Sequence, residues 1–206
     1  VLNPRPDFPV KTGPLLVIDL ESTCWEDQTT PAGEPQSVDN METIEIGCAL
    51  ATRNGELLDS ASFMVRPVRF PHLSRFCTSL TGITQTMVDT APIYTGATEA
   101  LNRWLGQPAS DFIWCSWGNY DRLHVEAQNR KTGARPVFSQ FPHLNLKRIW
   151  RLSTGQKKKN GLANALAFHH LAFEGSPHRG VDDARNIVRL LPFIDWHREN
   201  NLLTRP

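Results

Sequence analysis

An Asn-Gly pair between two apolar stretches constrains the fold of this chain more than any other feature. TIEIGCALAT (43–52) and ELLDSASFMVRP (56–67) are joined by Arg53-Asn54-Gly55. Asn-Gly flanked this way is the strongest short-range hairpin signal, because both residues tolerate the left-handed backbone of a tight turn. Two antiparallel neighbouring strands are therefore predicted, with Pro67 to Pro71 closing the second. Upstream, PLLVIDL (14–20) is a short apolar run with a β-branched centre and reads as a buried strand. Residues 21–42, which hold Pro31, Gly33, Pro35, Ser37 and Asn40, read as a loop.

Residues 73–105 alternate short helical pieces with breakers, notably Gly82 and Pro92, and Thr95 or Thr98 is placed to start a helix ending near Gly106. DFIWCSW (111–117) reads as a further strand. YDRLHVEAQNRK (120–131) has helical spacing, with Leu123 and Ala127 on one side. LKRIWRL (146–152) is predicted as a short helix and GLANALAFHHLAF (161–173) as a more buried one. Val181 to Leu191 gives a final amphipathic helix. This order of strands and helices is that of an α/β chain with a mixed sheet and helices packed on it. A Rossmann fold is not expected, since no Gly-x-Gly-x-x-Gly follows the first strand.

The 206 residues suit a single domain with its core at about 14–191. Hydrophobic and charged fractions of 40% and 21% exclude a disordered or fibrous chain. No apolar run approaches the roughly 18–20 residues that span a bilayer, so no membrane partner is expected. The start, VLNPRPDFPVK, lacks the order of a secretory signal, and it has no initiator Met, as expected of a trimmed or partial chain. Cys24, Cys48, Cys77 and Cys115 are dispersed, with no CxxC pair. They are expected to be reduced, buried thiols in a cytoplasmic-type compartment, or in the nucleus of a eukaryote. Net charge is only +1, but it is unevenly spread. Asp19, Glu21, Glu26, Asp27, Glu34, Asp39, Glu42 and Glu45 fall where no basic residue does, between Lys11 and Arg53. Lys147, Arg148, Arg151, Lys157, Lys158 and Lys159 form a stretch without an acid. An acidic pole for cations beside a basic pole for phosphates fits an enzyme acting on nucleic acid; solvated loops of uneven charge are the plain alternative.

Three places carry acids in a pattern that points to chemistry. Asp19 and Glu21 are two apart at the end of the first strand, so their side chains project from one face. Paired carboxylates repel unless a cation neutralises them, whereas in a loop both would simply be solvated. Asp121 follows the strand 111–117 and opens a helix, where the helix dipole alone would favour it. His178 lies in a loop five residues before Asp183. Either Asp182 or Asp183 could cap the helix that starts there; our division gives Asp182 the capping and Asp183 a metal, and spacing alone leaves the pair open.

Asp19-x-Glu21, Asp121 and His178-x-x-x-x-Asp183, in that order, resemble the three motifs of the DnaQ-like DEDDh exonucleases. VIDLESTCWE (17–26), METIEIG (41–47), FCTSLTGITQTMVDTAP (76–92), CSWGNYD and HRGVDDARNI (178–187) look like the enhanced-RNAi and 3′-histone-mRNA exonuclease group within that family. The similarity runs from about residue 14 to 191 and is specific in combination. It implies an RNase H-like α/β fold with a central mixed β-sheet flanked by α-helices. It also implies a 3′→5′ exonuclease needing two Mg²⁺ ions, with Mn²⁺ as a substitute. Asp19, Glu21, Asp121 and Asp183 would be the metal ligands, with Glu21 counted among the catalytic residues, and His178 the general base. The chemistry is consistent: hard divalent ions take carboxylate oxygens, and imidazole ordinarily accepts a proton near neutral pH. Zinc is disfavoured, because His169 and His170 lack ligand spacing and are expected to pack on or flank a helix.

The resemblance puts the terminal nucleotide against Thr23, Cys24 and Trp25, against Leu80, Thr81, Gly82 and Ile83, and against Tyr120, which would stack a base or serve as a half-buried core residue. Glu45 aligns with a recurrent acid, for which packing is the expected role over holding a ribose or ordering the site. Lys157 to Lys159 would grip phosphates or form a solvated loop. Some members carry an extra N-terminal nucleic-acid-binding module, to which nothing here corresponds. The expected partner is therefore a single-stranded 3′ end or overhang, RNA favoured over DNA, met by a monomer. Two alternatives share these residues: a 3′→5′ DNA exonuclease, and a nucleic-acid-binding module without catalysis.

Overall fold

The computed structural model describes residues 13–158 and 160–206; the N-terminal stretch read for a signal and Lys159 lie outside the described residues. Six strands form one sheet: β1 (Leu15–Ser22), β2 (Thr43–Ala51), β3 (Leu57–Met64), β4 (Ile113–Ser116), β5 (His143–Asn145) and β6 (Leu203–Thr204). Their order is β3-β2-β1-β4-β5-β6. The pairs β1–β2, β2–β3 and β5–β6 are antiparallel, whereas β1–β4 and β4–β5 are parallel. This is the mixed sheet that the order of elements predicted.

The hairpin forms as expected. Gly55 takes φ +83 and its N–H donates to Thr52 O at 3.0 Å, while Thr52 N donates to Glu56 O at 2.9 Å. The turn is a three-residue loop with glycine in the left-handed position. β1 runs further than its apolar residues suggest. Glu21 pairs with Glu45 of β2, and the register shifts between Glu21 and Ser22, so the second acid is on the strand and not in the loop.

Seven helices cover the sheet: α1 (Arg75–Thr81), α2 (Gln85–Asp89), α3 (Tyr94–Leu105), α4 (Tyr120–Thr132), α5 (Leu146–Thr154), α6 (Leu162–Phe168) and α7 (Gly180–Val188). The alternation of β1 divides the core. Leu15 and Val17 pack with Ile149, Trp150, Leu166, Ala184 and Ile187 of α5, α6 and α7. Leu16, Ile18 and Leu20 pack on the opposite face with Ala97 and Leu101 of α3 and Val125 of α4. Asp19 and Glu21 continue the first set and so face the α7 side. A third, smaller cluster joins Cys24 and Ile44 to Cys77 of α1 and Val88 of α2.

Local signals set most helix ends. Ser74, Thr84 and Asn145 accept backbone N–H bonds at the N-termini of α1, α2 and α5, and Gly82 closes α1 at φ +68. α3 starts at Tyr94, one residue before the nearer of the two threonines proposed to start it, and Thr98 is buried within it. Two readings need correction. Leu123 is exposed, although Ala127 is buried as part of the face that α4 turns inward with His124, Val125 and Gln128; His124 Nε2 meets Ser22 Oγ and Gln128 Nε2 donates to Met41 O. α6 stops at Phe168 and buries only Ala165 and Leu166. There His170 takes φ +57 and His169 stacks on Phe193, centroids 3.6 Å apart.

The chain past residue 191 also belongs to the fold. Arg53, in the hairpin turn, makes a buried ion pair with Glu199 at 2.8 Å, and Trp196 Nε1 donates to Arg53 O. Among the described residues, no helix is long and apolar enough to cross a membrane.

Candidate active site

The site is built where α7 lands on the sheet backbone. Gly47 pairs with Asp19 across β1 and β2, and Gly180 opens α7 directly above them. A Cβ on Gly47 would lie 1.9 Å from the Gly180 carbonyl carbon, and a Cβ on Gly180 would lie 2.7 Å from Asp19 O. Two glycines thus let a helix start in backbone-to-backbone contact with the strand that carries the acids. Glu45, fully buried, fixes the same end. Its Oε2 accepts from Gly180 N at 3.1 Å and Arg179 Nε at 3.2 Å, and its Oε1 accepts from Ser62 Oγ at 2.6 Å. Glu45 therefore supplies the cap that Arg179, the residue before α7, does not provide. Its role is to anchor the helix, more specific than the packing expected of it.

One turn into α7, Asp183 meets Asp19 and Glu21. The three offer carboxylate oxygens within 4.8 Å of one another. Asp183 Oδ2 is buried and has no hydrogen-bond partner. Asp182 turns the other way: its Oδ2 accepts from Ser176 N at 3.0 Å and its Oδ1 pairs with Arg185 at 3.3 Å. It holds the preceding loop and makes no side-chain cap on α7, so the capping expected of it falls to Glu45. Asp121, the fourth acid, comes from the first turn of α4. Its Oδ1 accepts from Leu20 N at 3.1 Å, and it stands outside the tight group of three.

Burial raises every carboxyl in the group, and like charge adds to it at Asp19, Glu21 and Asp183. Burial pushes Asp19 well above the usual carboxylate range, and Asp121, Asp183, Glu21 and Glu45 add to the effect. Burial also pushes Glu21 up to about 9, helped by Asp183, Glu45 and Asp121. Asp183 rises to about 7, again through burial, although the backbone N–H of His178 opposes it. Asp121 rises to about 6, burial outweighing the N–H of Leu20 and the charge of Lys147. Bare, this cluster holds protons near neutral pH, and divalent cations would replace them. An unpartnered carboxylate oxygen beside two more carboxylates is a donor set that fits a hard divalent cation. His178 sits exposed on the loop before α7 at φ +62, and its imidazole makes no hydrogen bond among the described residues.

A cavity of about 450 Å³ opens beside Glu21, large enough for a nucleotide. Of the residues expected at substrate, Cys24, Trp25, Leu80 and Tyr120 line it. Tyr120 is 44% exposed, with one ring face stacked on His124. Thr23, Thr81, Gly82 and Ile83 do not line it. Thr23 Oγ1 accepts from Glu42 N, Thr81 Oγ1 bonds Cys77 O and Ile83 N, and Ile83 is core. Gln28 and Gln36 also line the cavity and carry no signal in the sequence, as do Met41 and Phe76, which open two of the stretches that carry the resemblance without being marked as facing a ligand. They come from a loop and a helix edge, where no period marks a side chain as facing a ligand. The acidic pole proves mixed. Glu34, Asp39 and Glu42 are spent on Arg69, Arg130 and the 68–70 backbone, leaving Asp19 and Glu21 for the cluster.

These features belong together in one class. The family model described as "Exonuclease" matches residues 16–191, and the chain belongs to that family of divalent-metal-dependent nucleases. ERI1 exoribonuclease 3 of Homo sapiens is 31% identical over 191 residues, covering 88% of this chain and 53% of that protein. The 3′-5′ exonuclease eri1 of Schizosaccharomyces pombe is 30% identical, covering 86% of this chain and 66% of that protein. The chain thus spans between about half and two thirds of the length of these relatives. The solved nuclease domain of 3′hExo, a DEDDh family member bound to rAMP, superposes with a TM-score of 0.77 at 26% identity, covering 88% of this chain and 90% of that one. The fold is accordingly that of the DEDDh, RNase H-like exonucleases.

Proposed function

We propose that this domain is a 3′→5′ exoribonuclease that removes nucleotides from single-stranded 3′ ends or overhangs. The observation that carries the reading is the convergence of Asp19, Glu21 and Asp183, with one Asp183 oxygen left unpartnered in a buried place. The preference for RNA rests on relatives described as exoribonucleases.

Asp19, Glu21 and Asp183 would hold two Mg²⁺ ions, for which Mn²⁺ can substitute, and Asp121 would complete the set. Such a pair supplies Lewis acidity, making water more acidic and stabilising charge on the departing 3′ oxygen. His178, on its exposed loop, takes the proton as the water oxygen attacks phosphorus. The phosphorus–O3′ bond then breaks, leaving a 5′-monophosphate on the released nucleotide. Trp25, Leu80 and Tyr120 receive that nucleotide in the cavity beside Glu21. The four unpaired, buried cysteines support work in a reducing compartment.

The test is trimming of matched 5′-labelled RNA and DNA oligonucleotides, with Mg²⁺ and with EDTA. Stepwise shortening of RNA from the 3′ end, abolished by EDTA, is expected. Faster shortening of DNA would replace the substrate, and retardation on a gel without shortening would favour a binding module.

A further inference from the structure

A second cavity, of about 430 Å³, lies at Gly118 and Asn119, just before α4, whose first residue, Tyr120, lines the cavity beside Glu21. Gly118, Asn119, Asn145, Lys147, Arg148 and Arg151 line it, and no acid does. None of the three cations makes an ion pair within the described residues, although most other arginines lining the molecule do. Lys147 and Arg151 are four apart on α5, and Arg148 and Arg151 three apart, so all three share one face.

Only Arg151, in the last turn, complements the dipole of α5. Like charges at such spacings repel, and Lys147 and Arg148 occupy the first turn, where the helix dipole disfavours positive charge. The walls are nevertheless held in place. Ser116 Oγ donates to Gly118 O at 3.0 Å while meeting His143 Nε2 at 2.9 Å, and Asn145 Nδ2 donates to Asn119 Oδ1 at 2.8 Å. Lys147 feels the nearby Asp121, whereas Arg148 and Arg151 have no acid against them among the described residues, and positive charge concentrated in a pre-shaped concavity is an anion site.

Its position selects the anion. The cavity opens at the carboxyl ends of β4 and β5, the end of the sheet where parallel β1 carries Asp19 and Glu21. Asn119 and Asp121 are two residues apart, a span of at most about 7 Å. We propose that this cavity binds backbone phosphates of the substrate strand 5′ to the scissile bond, giving the domain a grip on chains longer than a dinucleotide. The inference rests on the nuclease reading above, with the terminal nucleotide in the cavity beside Glu21.

The test compares wild-type protein with the double variant Arg148→Gln/Arg151→Gln, both being residues outside the carboxylate cluster. Binding of a 5′-labelled RNA octamer is measured in EDTA by fluorescence polarisation across a KCl series. Hydrolysis of the octamer and of a dinucleotide is measured separately in Mg²⁺. The variant is expected to bind the octamer about tenfold more weakly, with a salt slope smaller by about 0.7–1.4, while its dinucleotide turnover stays at the wild-type rate. Unchanged octamer affinity and slope would overturn the proposal. So would an equal loss on the dinucleotide. If wild-type protein cleaves neither substrate, the nuclease reading falls, while the binding series still decides the phosphate site.

Discussion

The carboxylate cluster and the cavity beside it share Glu21, yet they are built in opposite ways. The acids are carried by regular structure, Asp19 and Glu21 on the central strand and Asp183 one turn into a helix seated on that strand's backbone. The cavity is walled by the loop after β1, by the rim of α1 and by the first residue of α4. Catalytic atoms need placement to a fraction of an ångström, which strands and helices in backbone contact provide. A nucleotide pocket tolerates adjustment and draws on side chains that a loop can present. Damage to the first region should therefore destroy turnover, and damage to the second should weaken binding.

The sharpest break of that contrast is Gly47→Ala. Its Cβ would fall 1.9 Å from the Gly180 carbonyl carbon, with backbone on both sides unable to yield. A loss of about 3 kcal/mol or more of stability is expected by denaturant titration, with hydrolysis lost as well. Next come Asp19→Asn and Asp183→Asn, each expected to lower turnover by on the order of 10³-fold or more with the fold retained. Wild-type rates in either variant would remove the ligand assignment. His178→Ala should cost roughly 10²–10⁴-fold in kcat with little change in KM, as loss of a proton acceptor does. A defect in KM alone would move His178 from chemistry to binding.

On the cavity side the effects should be smaller and of another kind. Trp25→Ala is expected to raise KM about tenfold, equivalent to about 1.4 kcal/mol, while kcat changes little. A fall in kcat alone would mean that both regions act as one unit. The smallest effect is one of pH on the metal-free protein. Asp121, Asp183 and Glu21 titrate at about 6, 7 and 9 in the fold, above their ordinary values of about 4. Folded carboxyls with raised pKa bind more protons than unfolded ones, so stability is greatest below about pH 4 for this contribution and is lost as pH rises through 9. Tm should fall across that window, and Mn²⁺ should raise it more at pH 8 than at pH 5.

The same division governed what the sequence disclosed. PLLVIDL and the Asn54-Gly55 turn gave the three strands at one side of the sheet, because buried strands and tight turns have local signatures. Asp19 and Glu21 could be set on one face by alternation alone. Their approach to Asp183 could not, since it depends on Gly47 and Gly180, two glycines whose contact spans distant parts of the chain. The anchoring role of Glu45 was hidden for the same reason. α6 is shorter than its sequence predicts because His169, which caps it, stacks on Phe193, a tertiary contact without local trace. β6 is two residues long and follows a 3-10 turn, so no period could mark it. Thr81, Gly82 and Ile83 resemble a substrate-contacting segment but spend their atoms on the end of α1 and the core beneath it.

The central claim is that the Asp19, Glu21 and Asp183 oxygens are neutralised by divalent cations. Crystals of the protein grown with Mn²⁺, measured for anomalous scattering, test it without reference to any substrate. The account predicts strong anomalous peaks coordinated by those three carboxylates and none there in Asp183→Asn crystals at the same concentration. An unmetallated cluster at millimolar Mn²⁺, with its side chains still converging, would contradict it.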